Sequence, residues 1–117
     1  MWRVGRVEST VRKVALAVSY GLMKAGAAKA EALAAAAPEL VPLLCSNLDD
    51  HDETARLMSC LCLTVMFERL RGAFGDQAIH DLYPKLLKRL DDSSDAVRSA
   101  ICSTLDMFLQ VTSIIQP

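Results

Sequence analysis

Apolar residues near the C-terminus recur in steps of three and four. Val97, Ala100, Ile101, Thr104, Leu105, Phe108 and Val111 form one stripe of a helix. Ser93 or Ser94 can cap its start. Asp95 falls in the first turn, where a negative charge favours the helix dipole. Upstream, Ile79, Leu82, Tyr83, Leu86, Leu87 and Leu90 make a second stripe, with Gly75 stopping the helix before it and Asp76 as its cap. Residues 91–94 are a short link, so the two helices must run antiparallel.

The middle of the chain follows the same plan. Leu40, Leu43, Leu44 and Leu48 end a first helix, and Asp50 with Glu53 has the spacing of a capping box for a second. That second helix runs to about Leu70 and carries Leu57, Met58, Cys60, Leu61, Leu63, Val65, Met66 and Phe67. It is apolar on more than one side, as a helix between neighbours in a stack must be.

The two units repeat each other. Leu82 lies 42 residues after Leu40, and at that offset the identities are Leu40/Leu82, Pro42/Pro84, Leu44/Leu86, Leu48/Leu90, Asp49/Asp91, Asp50/Asp92, Arg56/Arg98, Cys60/Cys102 and Leu63/Leu105. A helical period near 40 residues is the mark of a HEAT or armadillo-type solenoid. Pro42 and Pro84 sit in the same register inside helical runs, where each removes a backbone hydrogen bond and should bend its helix. Val11-Arg12, followed by Val14, Ala15, Val18 and Leu22, reads as the second helix of a third, truncated unit. Residues 26–37 are rich in alanine, a strong helix former, and lead into Leu40; a flexible linker is the alternative.

The predicted architecture is therefore an all-α solenoid of HEAT-type antiparallel helix pairs, about two and a half repeats in one array. Residues 8–24 are a lone second helix, 27–70 a full repeat and 76–112 another.

Pro, an Asp eight residues on and an Arg six after that is the hallmark spacing of HEAT repeats, and the chain has it twice, as Pro42–Asp50–Arg56 and Pro84–Asp92–Arg98. The first unit departs from it, with Arg6 standing six residues before Arg12. The resemblance implies a ladder in which a loop Asp meets an Arg on the second helix of the adjacent unit. It also implies that second helices line a concave face. On that face Ser99, Ser103, Asp106 and Gln110 are candidate partner-binding residues, with Glu68 and Arg69 on the middle unit.

The runs ELVPLLCSNLDD (39–50) and LYPKLLKRLDDSSDAVRSAICSTLDMFLQ (82–110) resemble the C-terminal repeats of the HEAT-repeat assembly factors for axonemal dynein. That resemblance implies a cytoplasmic factor for preassembly of dynein arms in motile cilia, binding dynein chains and chaperone-linked factors. Members of that family are far longer, so the chain looks like a fragment or short isoform. Residues 111–117 (VTSIIQP) do not extend the match. A general HEAT module for transport or phosphatase scaffolding, with an unrelated partner, is the alternative.

Composition narrows the field further. The chain has 117 residues, 52% of them hydrophobic and only 5% aromatic, so its core is aliphatic. A net charge of −1 with interspersed signs supplies no field for nucleic acid or an anionic membrane. The basic residues Lys85, Lys88 and Arg89 read as a solvated helix face. Arg3, Arg6, Arg12 and Lys13 ahead of an apolar run loosely resemble a targeting segment, which competes with a repeat helix for residues 1–27.

Reaction chemistry is poorly represented. Cys45, Cys60, Cys62 and Cys102 read as packing thiols of a reducing compartment, although Cys60 and Cys62 could serve a redox protein. The cluster Asp49-Asp50-His51-Asp52-Glu53 reads as a capped loop rather than a metal site, because its repeat counterpart has neither His nor Glu. His51 and His80 have no nucleophile paired with them, and Gly72 and Gly75 mark a helix stop, not a phosphate loop. No catalytic residue, cofactor or metal is expected. With two full repeats and part of a third, the stack should expose apolar ends, melt at modest temperature and self-associate.

Overall fold

The computed structural model describes residues 30–70 and 76–115, together with Leu16, Tyr20 and Gly21. Among these residues all regular structure is helical: α1 (Ala30–Asn47), α2 (Glu53–Arg69), α3 (Asp76–Lys88), a 3-10 turn (Arg89–Asp91) and α4 (Asp95–Ile115). The segment 71–75, with Gly72 and Gly75, lies outside them, as does most of the expected leading helix.

The alanine run is helix from Ala30 onward, as the propensity of alanine favours. Pro38 and Pro42 lie inside α1 and Pro84 inside α3, and all three are exposed. Water can reach the carbonyls they leave unpaired, so both helices continue through them.

The start of α2 corrects the expected capping box. Its N-cap is Asp52, whose carboxylate accepts from the Ala55 N–H at 3.0 Å. Asp50 stays in the loop, accepting from the Asp52 N–H at 2.8 Å while its own carbonyl accepts from Arg56. That carbonyl contact holds Asp50 outside the helix. The start of α4 is capped by Ser94, whose hydroxyl accepts from the Val97 N–H at 3.3 Å. Before it, α3 stops at Lys88, two residues short of the expected end at Leu90.

The core is made by α2. It lies between α1 and α4 and packs most extensively on α4. Leu44 of α1, Leu48 in the turn after it, Leu63, Met66 and Phe67 of α2, Leu82 and Leu86 of α3, and Val97 and Ile101 of α4 have no solvent exposure. Phe108 joins three helices. Its ring is tilted against Phe67 at 5.5 Å and stacked on Tyr83 at 5.8 Å. On the opposite side Leu16 is buried, and its carbonyl accepts from the Cys62 thiol at 3.7 Å. Leu16 had not stood out in the sequence; Val11, Val14, Ala15 and Val18 lie outside the described residues.

Where α2 meets α4 the seam is partly polar. The Thr104 hydroxyl lies 3.1 Å from the Cys60 carbonyl, 3.0 Å from the Ala100 carbonyl and 2.8 Å from the Thr64 hydroxyl, which itself lies 2.8 Å from the Cys60 carbonyl. With one proton each, the two threonines satisfy two of these contacts at a time.

Candidate protein-binding surface

The two helix pairs are joined by a charged rung. Arg56, on α2, donates through Nε to Asp92 Oδ2 at 2.8 Å and through Nη2 to Asp92 Oδ1 at 3.1 Å. Its Nη1 donates to the carbonyls of Asp50 and His51, each at 2.9 Å, so one guanidinium ties its own loop to the next. Asp92, its side chain only 1% exposed, also accepts from Arg89 Nη1 at 2.8 Å and from the Ser94 N–H at 2.9 Å. Burial pushes the Asp92 carboxyl up. The hydrogen bonds from Arg56 and Ser94, with the charges of Arg56 and Arg89, outweigh burial and hold it below the usual carboxylate value. Beside this, the Ser94 hydroxyl donates to Glu53 at 2.7 Å.

The same positions look different at the end of the stack. Arg98 is in the register of Arg56; it donates to the Asp92 carbonyl and pairs with Asp95 on its own helix, with 40% of its side chain exposed. Leu48 is fully buried while Leu90 is 41% exposed. Cys60 is fully buried and Cys102 is exposed, which corrects the reading of all four cysteines as packing thiols. The reason is position: α4 covers Cys60, and no described helix covers Cys102. Tyr83 and Leu87 complete this exposed face.

A second surface runs along α2 and α4. Ser99, Ser103, Asp106 and Gln110 are exposed, and Gln110 Nε2 donates to Asp106 at 3.2 Å. Glu68 and Arg69 are exposed as well. At the 42-residue offset Glu68 corresponds to Gln110, Thr64 to Asp106, Leu61 to Ser103 and Leu57 to Ser99. Leu57 and Leu61 are half-buried, so the first half of this stripe is apolar on the middle unit and polar on the last. Sequence reasoning placed those two leucines only among the apolar residues of a helix buried between neighbours; the repeat offset to Ser99 and Ser103 was the signal that could have assigned them to this face. Arg69 lies one step away, in the register of residue 111, and does not share the stripe.

A groove of about 780 Å³ separates α1 from α3, its walls including Ala37, Val41 and Cys45 on one side and Ala78, Asp81 and Lys85 on the other. Nothing in the sequence pointed to it. Beside it, Asp49 meets Lys85 at 3.6 Å, Lys88 at 3.5 Å and Arg89 at 3.4 Å. The three cations read from sequence as a solvated face therefore share one carboxylate.

The thiol chemistry follows burial. Desolvation pushes the Cys60 and Cys62 thiols up to about 12, so neither supplies a thiolate near neutral pH. Burial also raises Cys45, partly offset by Lys85. Among the described residues no cluster of His, Cys, Asp and Glu could hold a metal ion, and no helix is long and apolar enough to cross a membrane. His51 and His80 are exposed.

Antiparallel pairs at a 42-residue period, joined by an Arg–Asp rung, define a class: this is a HEAT-type α-solenoid, and the HEAT repeat family profile matches residues 82–112. The individual relatives follow. Dynein axonemal assembly factor 5 of Xenopus laevis is 31% identical over 104 residues, 89% of this chain and 12% of that protein. Its counterparts in Mus musculus and Homo sapiens are each 31% identical over 109 residues, 93% of this chain and 13% of theirs. The chain thus spans only 12–13% of the length of these curated relatives. No solved structure matches it.

Proposed function

We propose that this chain is a non-catalytic, cytoplasmic protein-binding scaffold that takes part in preassembly of axonemal dynein arms. The observation that carries the reading is the similarity to dynein axonemal assembly factor 5 along about nine-tenths of the chain. The fold supports a binding role, because an α-solenoid offers a long side-chain surface and little enclosed volume for a reaction. Axonemal dynein chains and other assembly factors are the proposed partners. The proposed contact is the stripe of Glu68, Ser99, Ser103, Asp106 and Gln110, with Arg69 at its edge.

The test is capture from ciliated-cell cytosol, with the folded chain as bait and an unrelated HEAT array as control. Enrichment of axonemal dynein chains or their assembly factors is the expected result; equal recovery on both baits overturns the reading. Charge reversal of Glu68 and Asp106 together should weaken capture and leave the melting temperature unchanged, since both side chains are exposed. Undiminished capture removes the stripe from the contact.

A further inference from the structure

The helices α1 and α3 do not close on each other. The groove between them measures about 780 Å³, within the size range of ligand-binding clefts. Both walls are helical, and the residues that line them keep helical spacing: Ala37, Val41 and Cys45 along α1, Ala78, Asp81 and Lys85 along α3. The trough therefore follows two helices for about two turns, the shape that takes a third helix laid along it. Its walls are low, so the occupant must bring the bulky side chains. Its charge is uneven. At the loop end Lys85, Lys88 and Arg89 gather within 3.6 Å of one carboxylate, Asp49. Asp81, one turn back, accepts from Gln77 at 2.9 Å, so the surplus of cations is confined to that end. Lys85 and Lys88 keep 41% and 66% of their side chains in solvent, and each ammonium, with three donors, can take a further carboxylate.

We propose that this groove is a docking site for an amphipathic helix of a partner protein, its bulky apolar face on Ala37, Val41 and Ala78 and its acidic end on Lys85 and Lys88. The site is separate from the stripe on α2 and α4 and does not depend on what that stripe binds. Charge complementarity selects this occupant over a second copy. Among the described residues, the exposed large apolar side chains that lie close together in sequence are Tyr83, Leu87 and Leu90, and they stand beside Lys88 and Arg89. A second copy that offered them would bring cations to cations. Leu43 and Leu109 are each the one such side chain on their helix among those residues.

The test uses the full chain with Cys102→Ser, which leaves Cys45 in the groove as the reporter, since Cys60 and Cys62 are fully buried. The probe is an alanine-based peptide of about 16 residues with leucines at steps of three and four and two glutamates in its first turn, where they also favour the helix. Fluorescence anisotropy should give one-to-one binding with Kd below about 0.1 mM. Saturating peptide should slow the reaction of Cys45 with a thiol reagent at least about ten-fold. Exchanging the glutamates for lysines should weaken binding at least about five-fold at low salt, the difference shrinking as salt is added. On the chain itself, Ala78→Trp should fill the groove and abolish binding, and Lys88→Glu should weaken it with helicity unchanged. Should Ala78→Trp lose helicity, Lys88→Glu decides alone. Absence of saturable binding, binding that leaves Cys45 equally reactive, or equal affinity for the lysine peptide or the Lys88→Glu chain overturns the proposal. A free chain in which Cys45 is already as slow as Cys60 has its groove covered, by a second copy if sedimentation shows a dimer and by its own residues if it shows a monomer, and overturns it too.

Discussion

Three residues occur twice in this chain, at the same register, with opposite surroundings. Arg56, Leu48 and Cys60 are buried where α2 meets the next unit. Arg98, Leu90 and Cys102 are their counterparts on the last unit, and solvent reaches all three. Residue identity is constant across each pair, so the difference is purely one of neighbours. In a solenoid, stability is a sum of unit and interface terms, and a side chain contributes to an interface only where a second unit lies against it.

Paired substitutions break this comparison most directly. Arg56→Ala removes the fork from a carboxylate that is 1% exposed and frees two loop carbonyls, so it should cost roughly 3–5 kcal/mol. Arg98→Ala should cost no more than about 1 kcal/mol, since its ion pair with Asp95 lies in solvent. Urea unfolding of the two variants measures the gap, and equal costs would show that the buried rung contributes nothing special. A smaller gap separates the leucines. Leu48→Ala should cost roughly 2–5 kcal/mol and Leu90→Ala about 1 kcal/mol, compared by thermal unfolding.

Acid sharpens the same contrast with the smallest effect. Asp92 has a folded pKa held below its unfolded value, so its contribution is fully present above about pH 4 and is lost as pH falls through the lower folded value. Urea midpoints recorded from neutral pH downward should therefore decline below about pH 4 in the native chain. The decline should be shallower in Arg56→Ala, which lacks the main partner that lowers Asp92. Parallel curves would mean that other carboxylates set the acid limit.

Much of the fold could be read from sequence because its signals are local. The steps of three and four in residues 97–108 foretold α4, and of the two candidate caps, Ser93 and Ser94, the helix uses Ser94. The Arg56–Asp92 contact is what the resemblance to HEAT repeats, carried by the Pro–Asp–Arg spacing, implied: a loop Asp meeting an Arg on the second helix of the adjacent unit. Arg89 was read only as part of a solvated face, and its bond to Asp92 escaped notice because the repeat offers no counterpart: its register position in the middle unit is Asn47. The exposure of Cys102 and Leu90 escaped for a more general reason. A repeat encodes the same side chain whether a neighbour covers it or not. The groove was invisible because it belongs to neither helix; it exists only where α1 and α3 stand apart.

That separation has a mechanical consequence. Among the described residues α2 and α4 are locked along their length, while α1 and α3 barely touch and are tied mainly at the loop end through Asp49. A beam glued along one edge and slack along the other has unequal stiffness. It flexes most easily about the glued edge, and the slack edge opens or closes like the outer side of a book spine. A small rotation at the α2–α4 seam becomes a larger displacement across the opposite edge, so whatever grips the array can alter its curvature with little strain in the core.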